Sequence, residues 1–265
     1  MDGKHVAITP PPGAGSYFFN YKNFHSQVLF GVANANYELL YFSFGTNGRV
    51  SDGGVFQSTD FYRAIESGTL NVPKETSVSG RNMPFVLVAD DAFPLRKDIM
   101  KPFSGKVNTP ARKIFNYRLS RARRMIESVF GIIVARFAVL QKPISLIDLA
   151  SVRHIVMACC ALHNFLRSKI PNQYTPSECL DDEDFETGNV TPGYRCSQFM
   201  DLERRQRYFP TQDAKLVREF FMEYFNNEGK VPWQDKIKRE ICGWSGVCVR
   251  VAQMVKHQRV KLENW

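Results

Sequence analysis

The sequence predicts a mixed α/β fold: a sheet flanked by helices on both faces, followed by a helical C-terminal region. Three observations predict it. Apolar, aromatic and β-branched runs of strand length lie at 4–9, 26–34, 37–44 and 84–89. Helical periodicity fills 112–139, 150–168 and 212–227. The order (three strands, short helix, strand, helix, helix) implies a meander whose chain crosses over through a helix to a fourth strand.

Each element has a local reason. KHVAIT (4–9) reads as the end of a strand, which PPPGAG at 10–15 must break. SQVLFGVAN (26–34) and YELLYFSF (37–44) are separated only by Ala35 and Asn36, so they read as a hairpin. GTNGRVSDGG (45–54) is a glycine-rich loop, and VFQSTDFYRAIE (55–66) fits a short helix. A polar loop runs to Met83, and PFVLVA (84–89) reads as a buried strand that stops at Asp90 and Asp91. In the long helix, Phe115, Leu119, Ala122, Ile126, Val129 and Ile133 recur at spacings of four and three and make one apolar seam. Pro143 ends it. Residues 150–168 form a second, mostly buried helix. Residues 171–210 are acidic and punctuated by Pro and Gly, as expected of a loop; 212–227 are an amphipathic helix; 230–265 are basic. No internal repeat is evident.

The chain has 265 residues, 44% of them hydrophobic and 23% charged, which excludes wholesale disorder and gives enough chain for a substantial core. No apolar run approaches the roughly 20 residues of a membrane span. The first fifteen residues lack the apolar region of a secretory signal. Six cysteines, at 159, 160, 179, 196, 242 and 248, show no CxxC spacing and read as reduced thiols in an intracellular setting.

The net charge of +9 is concentrated. Between Pro94 and Lys142 stand twelve basic residues and two acids, Asp98 and Glu127. Residues 178–186 instead carry six acids and no base. A solvated helix face normally mixes signs; a one-sign stripe suits a polyanion. A merely solubilising face is the alternative.

The acids fall at telling places. Asp2 opens the first strand, Asp52 lies in the glycine-rich loop, Asp90 ends the buried strand, and Glu127 interrupts the basic helix. Converging carboxylates repel unless a cation lies between them, and an all-oxygen set suits Mg²⁺ or Mn²⁺. Glu127 also has Arg123 and Arg124 one turn before it, so simple pairing is the competing explanation. Among the histidines, His5 and His25 read as structural. His163 follows Cys159 and Cys160 at metal-pair spacing, but its apolar surroundings favour core packing. The aromatic stripe Phe220, Phe221, Tyr224 and Phe225 reads as core or a docking face.

Five stretches in order carry a resemblance: DGKHVAI (2–8), FFNYKNFHSQVLFGVANANYELLYFSFGTNGRVSDGGVF (18–56), VLVADDAFPL (86–95), NYRLSRARRMIESVFGIIVARFAVL (116–140) and VMACCALHNFL (156–166). Over roughly residues 2–168 the chain resembles the catalytic domain of PIF/Harbinger-type DDE transposases and the nucleases derived from them. The resemblance implies an RNase H-like fold, with a mixed sheet of the five-strand type, and cleavage of DNA by a two-metal mechanism using Mg²⁺ or Mn²⁺. It implies Asp2, Asp90 and Glu127 as catalytic residues and metal ligands, with Asp52 as a further ligand. The family has small residues after its second aspartate where this chain reads Asp90–Asp91–Ala92–Phe93–Pro94, so Asp91 stays open beside Asp90. Lys22, Arg49, Arg112, Lys113, Arg118, Arg121, Arg123 and Arg124 are the candidate phosphate-binding residues. The expected divisions are a catalytic domain at 1–168 with its first strand truncated, an acidic linker at 169–210, and a basic helical extension at 211–265. DNA is the expected partner and the nucleus the expected location, with the cytoplasm as a second. A separate DNA-binding partner protein and self-association are left open; no membrane is expected. The competing expectation is a catalytically inactive, transposase-derived DNA-binding or protein-interaction module.

Overall fold

The computed structural model describes residues 1–78, 80–104, 109–184, 186–191, 193, 200–201 and 209–234. Lys106, Cys196, Cys242, Cys248 and most of the basic C-terminal stretch lie outside the described residues. In chain order the elements begin with β1 (Asp2–Ala7), β2 (Ser26–Ala33), β3 (Leu39–Asn47), α1 (Asp52–Gln57) and α2 (Asp60–Glu66). Four short strands follow: β4 (Thr76–Val78), β5 (Arg81–Met83), β6 (Leu87–Val88) and β7 (Ile99–Met100). Then come α3 (Pro110–Arg136), α4 (Leu149–Lys169), α5 (Pro171–Tyr174), β8 (Asp182–Glu183), β9 (Val190–Thr191), β10 (Met200–Asp201) and α6 (Gln212–Asn226).

The meander forms. β1, β2 and β3 pair antiparallel in sequence order, and β10 adds to the outer edge of β1. The fold is mixed α/β, but among the described residues the main sheet has four strands, all antiparallel, and not the five-strand mixed sheet. The expected fourth strand is the reason. Pro84 lacks a ladder donor, and a turn at Asp90 follows, so only Leu87 and Val88 remain extended. β6 pairs in parallel with β7. The Met1 amine, just before β1, donates to the Val88 carbonyl at 2.7 Å.

Side-chain alternation divides the core. Val28, Phe30 and Val32 of β2 face a cluster with Val55, Phe56, Phe61 and Phe93, which places α1 and α2 on that side. Leu29, with Val6 and Ile8 from the β1 segment, faces α3 and α4 through Ile126, Val129, Phe130, Val152 and Val156. Phe30, Phe56 and Phe93 are fully buried, each stabilising the fold by about 2–3 kcal/mol. A third cluster joins Leu95, Met100, Phe103, Phe115 and Leu119 to α6.

Three local readings change. The expected single helix at 55–66 is two, because the Thr59 side chain accepts the Tyr62 N–H and starts α2 afresh. The α3 seam holds except at Ala122, which is exposed. The helix changes partners there, from the third cluster to the main core. α3 itself begins at Pro110, behind the Thr109 cap. α4 buries only one side, through Val152, Val156, Cys160 and His163, while Leu162 and Phe165 are 49% and 57% exposed. α4 has 21 residues and contains an 18-residue stretch of mean hydropathy 1.3, a length and composition that a core helix shares with a membrane span.

Candidate active site

Asp2 opens β1 on the same side of the strand as Lys4 and Val6, which is the side covered by α3. Its strand partner is Gly31. A Cβ on Gly31 would lie 3.1 Å from the Phe130 ring, 3.2 Å from Leu39 and 3.3 Å from Ile126. Glycine therefore lets α3 lie directly on the β1–β2 pair, and Glu127 follows Ile126 on that helix. Asp90 comes two residues after β6. It is 8% exposed, and its Oδ1 accepts the Ala92 N–H at 2.8 Å, which fixes the turn.

The Met1 amine marks where these elements meet. Burial pushes it down to about 6 from its usual 8. The charges of Asp2, Asp90 and Glu127 act on it in the opposite sense, and that of Arg123 acts with burial. All three acids, from β1, the β6 turn and α3, thus lie within electrostatic range of the start of β1. Asp91 is placed differently: its Oδ1 lies 3.6 Å from Lys101 Nζ, and its carbonyl accepts from the same ammonium at 2.9 Å. Asp52 is the first residue of α1 rather than part of a loop, and its side chain lies outside the described residues.

Two cations hold the acids. Lys4 Nζ lies 3.3 Å from Asp2 Oδ2, an ion pair without a hydrogen bond, so that buried oxygen has no donor. Arg123 Nη2 lies 3.2 Å from Glu127 Oε1. The pairing of Glu127 with its own helix is therefore real. Among the described residues, no three Asp, Glu, His or Cys side chains stand close enough together to hold a metal ion. The chemistry of the set nonetheless fits a hard divalent cation, since every candidate donor is a carboxylate oxygen and one is buried without a donor. Lys4 was missed in the sequence. Its place two residues from Asp2 on a strand was the available signal.

The basic stripe is not one continuous surface. Arg121 is buried, with its guanidinium 4.2 Å from the Trp233 ring and a hydrogen bond to the Gly188 carbonyl. Arg118 donates to the Gly229 carbonyl at 3.0 Å and lies 4.6 Å from the Phe225 ring. Arg112 covers Phe103 at 4.8 Å. These three cations seat aromatic rings, among them Phe225 of α6, which explains both the stripe on α3 and the aromatic stripe on α6. Arg121, expected to bind phosphate, thus packs in the interior against Trp233. Lys113, Arg123, Arg124 and Lys22 are half-buried, and Arg49 is exposed.

The histidine readings match the contacts. His5 shares a hydrogen bond with Ser26 Oγ, and His25 packs on Phe19. His163 is fully buried, with Nε2 donating to the Tyr37 carbonyl and Nδ1 accepting from the Tyr174 hydroxyl. Burial pushes the Cys160 thiol up to about 12, which suits an inert core cysteine.

The family model described as DDE superfamily endonuclease matches residues 1–164. The chain belongs to this family. "Protein ALP1-like" of Arabidopsis thaliana is 25% identical over 247 residues, covering 92% of this chain and 53% of that protein. "Putative nuclease HARBI1" of Bos taurus is 28% identical over 166 residues, covering 62% and 44%. The protein of the same name in Homo sapiens is 27% identical over the same length. The chain spans about half the length of the curated relatives it matches. No solved structure matches it. As a DDE endonuclease family member it is nuclease-like and transposase-like, in agreement with the Harbinger-type motifs.

Proposed function

We propose that this chain is a metal-dependent DNA endonuclease domain of the transposase type, cleaving phosphodiester bonds. Asp2, Asp90 and Glu127 hold a pair of divalent cations, Mg²⁺ or Mn²⁺, with Asp52 completing the set. Two such ions supply a more acidic water and charge stabilisation at the phosphorus under attack. The carrying observation is geometric: the Met1–Val88 contact sets the start of β1 beside the strand that leads to Asp90, and Gly31, the partner of Asp2, lies against Ile126 and Phe130 on the helix that carries Glu127. The contact of Met1 with Val88 supports an RNase H-like arrangement, with β6 alongside β1.

The chain's own groups do the rest. Lys4 and Arg123 pair with Asp2 and Glu127 and offset their charge. Arg49, Lys22, Lys113 and Arg124 draw phosphates towards the acids. In this reading DNA is the partner and the nucleus the site of action.

One observation favours a second reading, a catalytically inactive binding module: two of the acids already hold side-chain cations. Nicking of supercoiled plasmid with Mg²⁺ or Mn²⁺ separates the two. The endonuclease reading expects nicking by the unmodified chain and none by an Asp90→Ala/Glu127→Ala double variant. Equal residual activity in both supports the binding module.

A further inference from the structure

A half-open cleft of about 200 Å³ lies between the loop at 16–25 and the turn at 48–51, lined by Phe19, Asn20, Tyr21, Gly48, Arg49 and Ser51, among others. Its walls are built rather than incidental. Asn20 is buried; its Nδ2 donates to Ser26 Oγ at 2.9 Å, while its Oδ1 accepts the N–H groups of Lys22 and Phe24. Ser26 Oγ in turn meets His5 on β1. A Cβ at Gly48 would come within 2.1 Å of Ser26 Oγ, so the turn lies hard against the loop. The Phe19 ring is braced edge-on by His25 at 5.2 Å. In this frame Phe19 and Tyr21 remain 38% and 40% exposed.

Charge selects the occupant. Arg49 on the rim is exposed, Lys22 Nζ lies 5.4 Å from the Tyr21 ring centre, and among the described residues no acid lines the cleft. Aromatic faces beside cations suit a nucleobase with its phosphate. The concavity admits one nucleotide, whereas paired bases keep their faces stacked inside the duplex. Ser51 on the cleft wall precedes Asp52 in the chain, while Tyr21 contacts His5, which faces the opposite side of β1 from Asp2.

We propose that this cleft receives an unpaired nucleotide of a DNA strand, its base against Tyr21 and Phe19 and its phosphate on Arg49. The inference rests on the endonuclease reading, naming the strand form that site engages, but binding can be read without cleavage. The experiment is fluorescence anisotropy of the full chain in EDTA, with labelled oligothymidine and a blunt duplex compared. The unmodified chain binds the single strand. Tyr21→Leu and Phe19→Ala each weaken that binding about fivefold or more and leave duplex binding unchanged, while Tyr21→Phe retains it. Arg49→Ala lowers the salt dependence by about one phosphate contact. The proposal is overturned if the unmodified chain does not bind the single strand, if Tyr21→Leu and Phe19→Ala bind it normally, or if they lose both DNAs equally. Selective loss in EDTA together with absent plasmid nicking sinks only the endonuclease reading.

Discussion

Lys4 Nζ lies 3.3 Å from Asp2 Oδ2, with both side chains less than a tenth exposed. A buried charge is stable only beside its opposite, so each residue depends on the other. Lys4 is thus the internal counter-charge of an acid proposed to hold a metal ion. Replacing it by methionine keeps the stem and removes the charge. Without divalent ions, Lys4→Met should lose about 3 kcal/mol in denaturant unfolding. Added Mn²⁺ should then raise its stability more than it raises that of the unmodified chain. An equal response of both proteins to Mn²⁺ contradicts the role.

Gly31 sets the distance between β1 and α3. Gly31→Ala places a methyl 3.1–3.3 Å from three core side chains. Overpacking of this kind costs about 1–3 kcal/mol, measurable as a lower denaturation midpoint with an unchanged slope. Because the strain lifts the helix carrying Glu127, divalent-ion affinity should fall as well. Unchanged stability would mean that α3 does not rest on this strand pair.

His163 makes stability depend on pH. Burial holds its pKa below the ordinary 6.5, and the Tyr174 hydroxyl donates to the nitrogen that would take the proton. The folded state thus favours neutral imidazole. Its contribution is complete above pH 6.5 and is lost as the pH falls towards the lower folded value. Between pH 7.5 and 5, the unmodified chain should lose more stability than His163→Gln. Parallel profiles would remove His163 from the account.

Arg121 and Arg49 should behave oppositely. Arg121→Ala removes a desolvated cation from Trp233 and should cost about 2 kcal/mol of stability with little change in the salt slope of DNA binding. Arg49→Ala should leave stability unchanged and weaken binding. A salt slope altered by Arg121→Ala alone would return that residue to the DNA surface.

Much of this was legible in the sequence because local patterns carried it. The meander followed from β-branched and aromatic runs and α3 from its four-and-three spacing, while motif positions put Asp2, Asp90 and Glu127 forward as candidates. Residues outside those patterns were less legible. The spacing on α3 could not show that aromatic rings would cover Arg112, Arg118 and Arg121, because that cover arrives in part from Phe225, more than a hundred residues later. β10 is two residues long, too short for any period, yet it takes the edge of β1. Asp90 and Asp91 are equivalent in composition. Only the turn that closes on Ala92, and the partner at Lys101, set them apart.

The central claim is that Asp2, Asp90 and Glu127 together hold a divalent cation. Calorimetric titration with Mn²⁺ tests it most directly. The account predicts binding by the unmodified chain, a loss of about tenfold or more in Asp90→Asn and in Glu127→Gln, and none in Asp91→Asn. Equal affinity across all four proteins, or no binding by any, contradicts it.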